Sequence, residues 1–180
     1  MRHLLSIEDV SREDIERILA RAKAFEEVSR RPIKKVPALQ GKTVVNLFYE
    51  ASTRTSTSFD LAAKRLSAEV HSIRSSGSAV DKGESLKDTV QTLSAYDPDA
   101  IVIRSPHVGA ADLVARWSPA AVVNAGDGKH EHPTQACSTS TPCASASARS
   151  TARRCGSSAT CCTRASPARE CWRCAGWARR

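Results

Sequence analysis

Apolar and polar positions alternate along the first 136 residues in two periods, one typical of strands and one typical of helices. Four short apolar runs predict buried strands, at residues 43–49, 69–73, 100–104 and 121–124. Between them, apolar residues recur at helical spacing, which predicts helices at residues 54–67, 84–95 and 112–117. Strands that alternate with helices in this way form parallel sheets. We therefore predict an α/β fold, a parallel sheet flanked by helices.

A further helix is predicted before the first strand. The segment Ser11-Arg12-Glu13-Asp14 has the residue types of a helix start. Apolar residues then follow at helical spacing, and we expect them to pack in the core: Ile15, Ile18, Leu19, Ala22 and Phe25.

The segment Ser52-Thr53-Arg54-Thr55 directly follows the first predicted strand and opens the helix after it. The first turn of a helix has free N–H groups, and its dipole favours negative charge. Hydroxyl groups and a guanidinium at that point suit a phosphate-like dianion. An ordinary helix N-cap is the alternative, and Arg54 favours the anion site.

Two other strand ends carry polar side chains, and ligands of parallel sheets bind at the carboxyl ends of the strands. Arg104 closes the strand at 100–104, where the alternative is a charge that simply meets water. After a glycine turn at residues 125–128, His130 and His132 could ligate a metal, but no third ligand is evident. His132 before Pro133 is better interpreted as a donor placed by a rigid turn, with Gln135 one turn further.

The composition changes abruptly at residue 137. The last 44 residues lack aliphatic residues other than alanine, and they carry eight Arg and one Glu, so +7 of the net charge of +8 lies there. The body, residues 1–136, has a charge of +1 and therefore gives no sign of nucleic-acid binding. All seven cysteines lie in the tail: Cys137, Cys143, Cys155, Cys161, Cys162, Cys171 and Cys174.

Such a tail buries too little apolar surface to fold, so we expect it to be disordered. Three origins compete: a basic arm, a cysteine metal module, and a frameshift in a GC-rich gene. A shift by one base lets residues 137–146 be re-read as LLDLDTLRER, an amphipathic helix, and residues 154–167 as VRVVGDVLHSRVAR, a strand and a turn. This favours the frameshift, and we expect two parts, a domain at 1–136 that is incomplete at its C-terminal end and a low-complexity tail at 137–180.

A metal module and an RNA-binding arm have weaker support in the tail. A metal module would need a second well-spaced cysteine pair beside Cys171-Trp172-Arg173-Cys174, and the tail has no histidine. An RNA-binding arm would need more aromatic residues than Trp172 and Trp177. No apolar run reaches 18 residues, and the N-terminus becomes acidic too early for a signal peptide, so we expect a cytoplasmic protein without a membrane span.

Four ordered motifs together resemble the aspartate carbamoyltransferase catalytic chain, within the aspartate/ornithine carbamoyltransferase family. The resemblance covers most of residues 1–136, and the Asn-Ala-Gly-Asp-Gly turn favours the aspartate enzyme over the ornithine enzyme. The re-read HSRVAR turn is similar to the family's next segment. The motifs are Ser52-Thr53-Arg54-Thr55, Lys82-Gly83-Glu84-Ser85-Leu86, Asp99-Ala100-Ile101-Val102-Ile103-Arg104, and Asn124-Ala125-Gly126-Asp127-Gly128 with His132-Pro133-Thr134-Gln135.

The resemblance implies transfer of the carbamoyl group of carbamoyl phosphate to L-aspartate in pyrimidine biosynthesis, without a cofactor or a metal. It implies that Ser52, Thr53, Arg54 and Thr55 hold the phosphate. Arg104 and His132, with Thr55, would polarise the carbamoyl oxygen, and Gln135 would bind the carbamoyl nitrogen. Ser78 and Lys82 would reach the site of an adjacent subunit in a homotrimer. The resemblance leaves open whether regulatory chains also bind.

Two departures from the family pattern bear on activity. Ser56 stands where many members carry a second Arg, which leaves the anion site in place. The aspartate-binding domain of the family has no counterpart, so we expect no turnover by the chain as written, which a carbamoylaspartate colour assay would test. Ornithine carbamoyltransferase, or a non-catalytic fragment that binds carbamoyl phosphate, are the alternatives.

Overall fold

The computed structural model describes residues 2–74 and 84–138, without the side chain of residue 74. Its centre is a four-stranded sheet in the order β2-β1-β3-β4, and every pair of neighbouring strands is parallel. The predicted parallel α/β sheet is therefore confirmed. The strands are β1 (Thr43–Phe48), β2 (Glu69–Arg74), β3 (Ala100–Ser105) and β4 (Ala121–Asp127).

The helices are α1 (Arg12–Arg30), α2 (Thr53–Arg65), α3 (Leu86–Ser94), α4 (Ala110–Trp117) and α5 (133–138). Serine caps fix two of their starts. The Ser11 hydroxyl accepts the backbone N–H of Asp14 at 3.1 Å, and the Ser85 hydroxyl accepts that of Asp88 at 3.2 Å. Each bond satisfies an N–H group that the first helical turn leaves open, so local sequence determines where α1 and α3 begin.

The sheet buries apolar residues on both faces because successive strand residues point to opposite sides. On one face, Leu47 of β1 and Ile101 of β3 pack with Val90 of α3 and Val114 of α4. On the other face, Phe48 and Val102 belong to a second cluster with α2. The sheet is therefore the middle of three layers, which explains why its strands are almost continuously apolar.

The strand order places a switch point between β1 and β3. The chain moves from β1 to β2 on one side, and from β3 to β4 on the other. The loops after β1 and β3 therefore diverge at the carboxyl edge and leave a crevice between them, where ligands of open α/β sheets bind.

The N-terminal segment covers the free edge of β4. The backbone N–H of Leu4 donates to Val122 at 2.8 Å, and the N–H of Asn124 donates back to Leu4 at 2.9 Å. The buried side-chain amide of Asn124 donates to Leu5 at 2.9 Å. These bonds pair part of the backbone that an edge strand exposes.

Two sequence-based expectations need correction. Strand β4 continues to Asp127, so most of the predicted glycine turn at 125–128 is strand, and its main-chain pairing overrides the glycine signal. The expected core role of the α1 residues is wrong within the described residues. No residue of α1 is buried and Phe25 is 38% exposed, because α1 lies at the surface away from the sheet.

The predicted loop around Ser78 and Lys82 and the tail after residue 138 lie outside the described residues. The expectation of a disordered tail is therefore untested. Among the residues that the structure describes, no helix is long and apolar enough to cross a membrane.

Candidate functional site

The start of α2 forms one side of the carboxyl-edge crevice. Ser52 is the N-cap residue, in an extended conformation, and its side chain makes no capping hydrogen bond in the described structure. The hydroxyl of Ser52 and the first N–H groups of α2 therefore stay available for an acceptor. Thr53 and Arg54 are exposed and Thr55 is half-buried. The predicted helix start after β1 is confirmed, and the anion site stays a prediction.

Arg104 lies near the carboxyl end of β3, at the switch point between β1 and β3. In the pairing of β1 with β3, Arg104 is the partner of Phe48, so Arg104 lies beside the loop that leads into α2. The Arg104 side chain is 18% exposed. Its Nη1 donates to the carbonyl of Ala125 at 3.0 Å, and its Nη2 lies 3.2 Å from the Glu50 carboxylate. The buried Nε has no acceptor among the described residues. Arg104 thus joins the loop after β1 to the end of β4.

Gly126 allows Arg104 and His132 to approach each other. A Cβ atom on Gly126 would lie 2.5 Å from Arg104 Nη1 and 3.7 Å from His132 Cδ2. The φ angle of Gly126 is +118°, which side-chain-bearing residues rarely adopt. The backbone conformation therefore favours glycine here, and a larger residue would also displace the Arg104 guanidinium, whereas its contact with His132 would be an ordinary one.

His132 is held as a neutral imidazole beside a positive charge. Burial lowers the pKa of His132 from the usual histidine value, and the nearby Arg104 guanidinium lowers it further. Its Nδ1 lies 3.2 Å from the Thr134 hydroxyl. The ring therefore stays uncharged at pH 7, so it can donate one hydrogen bond without adding charge to the crevice.

Helix α5 begins directly after His132. Pro133 is fully buried, and the backbone N–H of Gln135 donates to the carbonyl of His132 at 3.0 Å. The Gln135 side chain is exposed on the first turn of this helix. A helix thus starts at the proline after His132, and Gln135 lies one turn from His132; the donor role of His132 stays a prediction.

The structure brings Arg104 and His132 together beside Gly126, and the loop that leads into α2 reaches Arg104 through Glu50, 3.2 Å away. The predicted site residues Ser78 and Lys82 lie outside the described residues. Among the residues that are described, no group of three or more His, Cys, Asp or Glu side chains could hold a metal ion. His130 instead lies against Asp127, with 3.1 Å between Nδ1 and Oδ2.

Two acidic residues near Arg104 and His132 are absent from the sequence-based predictions. Glu50, which pairs with Arg104, carries no pattern that distinguishes it from other loop acids. Asp127 was seen only as part of a glycine-rich motif, although an acid at the end of a buried strand was a usable signal. In the structure Asp127 is 2% exposed and accepts hydrogen bonds from two loops.

Comparison with protein-family models identifies the domain. Residues 2–139 match the model described as "Aspartate/ornithine carbamoyltransferase, carbamoyl-P binding domain". The chain belongs to the aspartate/ornithine carbamoyltransferase family. The resemblance found in the four motifs is therefore confirmed. The matched residues include the start of α2, Arg104 and His132.

The curated relatives of this chain are aspartate carbamoyltransferases, the aspartate members of the family. The chain is 57% identical over 133 residues to the aspartate carbamoyltransferase catalytic subunit of Solibacter usitatus, and 62% identical over 135 residues to that of Sorangium cellulosum. These alignments cover 74% and 75% of this chain but only 44% and 42% of the relatives. The chain thus spans less than half the length of the curated relatives it matches.

Solved structures give the same family. Aspartate transcarbamoylase from Trypanosoma cruzi, in complex with N-(phosphonacetyl)-L-aspartic acid, is 34% identical with a TM-score of 0.74. The catalytic subunit of M. jannaschii aspartate transcarbamoylase is 42% identical with a TM-score of 0.70. The alignments cover 80% and 81% of this chain, and 44% and 48% of those chains.

Proposed function

We propose that residues 2–138 form the carbamoyl-phosphate half of an aspartate carbamoyltransferase. The observation that carries the proposal is the position of Arg104. It lies at the β1–β3 switch point, with the loop that leads into α2 on one side and the neutral His132 on the other. A ligand with a phosphate at one end and a carbonyl at the other fits that order of groups.

The phosphate would bind at the start of α2. The unused Ser52 hydroxyl, the exposed Arg54 guanidinium and the first-turn N–H groups of α2 supply donors and positive charge. Thr53 and Thr55 add hydroxyls on the same turn. A dianion there is stabilised by donors that the fold has already placed, so little reorganisation is needed.

The carbamoyl group would lie against Arg104 and His132. The Nε of Arg104 lacks an acceptor among the described residues, and a bound ligand would supply one. We assign the proton of neutral His132 to Nε2, with the Thr134 hydroxyl donating to Nδ1. Arg104, His132 and Thr55 would then stabilise the negative charge that develops on the carbamoyl oxygen. Gln135 would bind the carbamoyl nitrogen.

The reaction needs mainly orientation and charge stabilisation. The amino group of L-aspartate attacks the carbamoyl carbon, the carbon–oxygen bond to phosphate breaks, and phosphate leaves with the electron pair. The amine loses a proton as N-carbamoyl-L-aspartate forms. No protein nucleophile is required, which agrees with a crevice built of donors and cations.

Partners and setting complete the proposal. L-aspartate as second substrate, a homotrimer with Ser78 and Lys82 reaching an adjacent subunit, and a cytoplasmic location follow from the family resemblance. Aspartate as substrate is supported by the names of the relatives. Light scattering on the purified chain tests the trimer, and a monomer at micromolar concentration would contradict it.

We also propose that residues 137–180 result from a frameshift. The family match ends at residue 139, close to the change of composition at residue 137. Sequencing the source DNA across the Ala136 and Cys137 codons is the test. A missing or extra base is the expected result, and an intact reading frame in the source would overturn the idea.

Ligand binding tests the proposed function. Phosphonoacetamide, a stable analogue of carbamoyl phosphate, is titrated calorimetrically into the 180-residue chain, its Arg104→Gln variant and a matched Arg116→Gln control on the exposed end of α4. We expect binding to the wild type and the control, and at least about a hundredfold weaker binding to Arg104→Gln. Equal affinity for both variants, or no binding to a folded wild type, would exclude the proposal.

A further inference from the structure

A buried carboxylate lies behind the site, at the end of β4. Asp127 is 2% exposed, and its two oxygens face three donors. Oδ1 accepts the backbone N–H of Glu131 at 2.8 Å, and Oδ2 accepts the backbone N–H of Gly109 at 3.1 Å. Oδ2 also lies 3.1 Å from Nδ1 of His130. A buried carboxylate with this number of donors is satisfied and held in one position.

The three donors come from two different loops. Gly109 ends the loop that follows β3, and His130 and Glu131 belong to the loop that follows β4. Two backbone hydrogen bonds join the same segments, and we call this contact between the two loops the joint. The N–H of Gly128 donates to the carbonyl of Ser105 at 2.9 Å, and the N–H of Asp127 donates to the carbonyl of Glu131 at 3.2 Å. Asp127 therefore fastens the loop after β4 to the loop after β3.

Both loops adjoin the residues that form the crevice. His132 immediately follows Glu131, and Arg104 is the penultimate residue of β3. We propose that Asp127 is a positioning residue, whose carboxylate fixes the 128–132 loop and thereby holds His132 beside Arg104. Its hydrogen bonds go to the two loops, so its effect would pass through the loop backbone.

A second anchor supports this role of the loop. The Glu131 carboxylate accepts the backbone N–H of Ile7 at 2.7 Å, which ties the loop to the N-terminal segment on its other side. The residue before His132 is thus held through its backbone by Asp127 and through its side chain by Ile7. Loss of the Asp127 carboxylate removes its bond to the Glu131 N–H and leaves the Ile7 contact and the backbone bond from Asp127 to Glu131.

The test compares Asp127→Asn with Asp112→Asn in the full 180-residue chain. Asp112 is an exposed acid on the first turn of α4, so its variant has the same change in charge without loss of the joint. Asparagine keeps the shape of Asp127, but its NH2 group cannot accept the N–H groups that the second carboxylate oxygen accepts. The titration of the His132 ring is followed by NMR without ligand, and phosphonoacetamide affinity is measured separately.

We expect Asp127→Asn to raise the pKa of His132 toward the usual histidine value, because the ring moves away from its buried place near Arg104. Asp112→Asn leaves that pKa unchanged. A folded Asp127→Asn protein with the wild-type titration of His132 would overturn the positioning role. Overall loss of stability alone would not move this pKa in the folded state.

The affinity measurement rests on the proposed function, and the titration does not. We expect phosphonoacetamide to bind Asp127→Asn about tenfold more weakly than wild type, equal to about 1.4 kcal/mol. If phosphonoacetamide binds neither the wild type nor the variants, the proposed function fails, and the His132 titration still decides the role of Asp127. If Asp127→Asn does not fold, amide exchange in the wild type decides: protected Gly109 and Glu131 amides support the joint, and amides that exchange as in an open loop exclude it.

Discussion

The β4 side of the crevice and the α2 side are built differently. On the β4 side, Asp127 and Glu131 hold the loop before His132 with several hydrogen bonds, and Arg104 is bound to the Ala125 carbonyl. On the α2 side, Ser52 makes no capping bond, and the exposed Arg54 has no ion-pair partner among the described residues. Apart from the Nε of Arg104, which has no acceptor among the described residues, the β4 side is hydrogen-bonded within the protein, whereas the α2 side offers unused donors.

This difference separates two tasks. A preorganised group stabilises charge without reorganisation during reaction, which suits Arg104 and His132. Unused donors and an exposed cation at a helix start suit the capture of an anion from water. Changes on the β4 side should therefore alter geometry and stability, whereas changes on the α2 side should alter binding alone.

The largest effect is expected from Gly126→Ala, which breaks the β4 side. Its Cβ would lie 2.5 Å from Arg104 Nη1, at a φ of +118° that alanine rarely adopts. We expect a loss of unfolding free energy of at least about 2 kcal/mol together with loss of phosphonoacetamide binding. Gly41→Ala is the matched control, since Gly41 also has a positive φ but has open space around it. Denaturant unfolding of both variants measures the difference, and equal stabilities would contradict the close approach.

The next effect is expected from Arg54→Ala, which tests the α2 side. Removal of one exposed cation should weaken phosphonoacetamide binding about tenfold and leave the melting temperature unchanged. Arg65→Ala, at the opposite end of the same helix, has the same change in charge and should bind like wild type. Calorimetric titration and thermal melting measure the two quantities. A marked fall in melting temperature for Arg54→Ala would show that the two sides are not distinct.

A smaller effect is expected from pH on the stability of the fold, and it tests whether His132 is neutral. Because its pKa is lowered in the folded state, the unfolded chain binds a proton at a higher pH than the folded chain does. The folded state is therefore unaffected well above the usual histidine pKa and loses stability as the pH falls through that value. His132→Gln should lose this part of the pH dependence. Melting curves between about pH 8 and about pH 5 measure it, and identical pH dependence of the two proteins would contradict the neutral, buried ring.

The smallest effect is expected at the opposite edge of the sheet. Lys42 Nζ lies 2.7 Å from the Asp99 carboxylate, and both side chains are partly exposed. Lys42→Ala should leave the stability almost unchanged, because water screens an exposed ion pair, and it should not change ligand affinity. Denaturant unfolding and calorimetric titration provide the numbers. A change in affinity from this distant site would show that the crevice is not confined to the carboxyl edge.

Much of the fold was predictable because its signals are local. The apolar runs of the four strands are short and separated by helical periodicity, and Ser11 and Ser85 begin helices by capping. The expectations failed where the outcome depends on distant partners. The α1 residues have a core-like spacing but lie at the surface, and β4 extends to Asp127 because it pairs with β3.

The candidate site shows the same division. The start of α2 was predictable from Ser52 to Thr55, since the helix N-terminus and the hydroxyl groups are adjacent in sequence. Glu50 was not predictable as the partner of Arg104, because the two residues are far apart in sequence and meet only when β1 pairs with β3.

The sequence by itself determined the kinds of chemistry present: the hydroxyls and Arg54 at a helix start, an arginine at a strand end, and a histidine before a proline. Local sequence places these groups because each depends on neighbours within a few residues. Only the tertiary structure decided that Arg104 and His132 meet across Gly126 and that burial keeps the histidine neutral. Proximity and desolvation arise from the packing of distant segments, so no local pattern contains them.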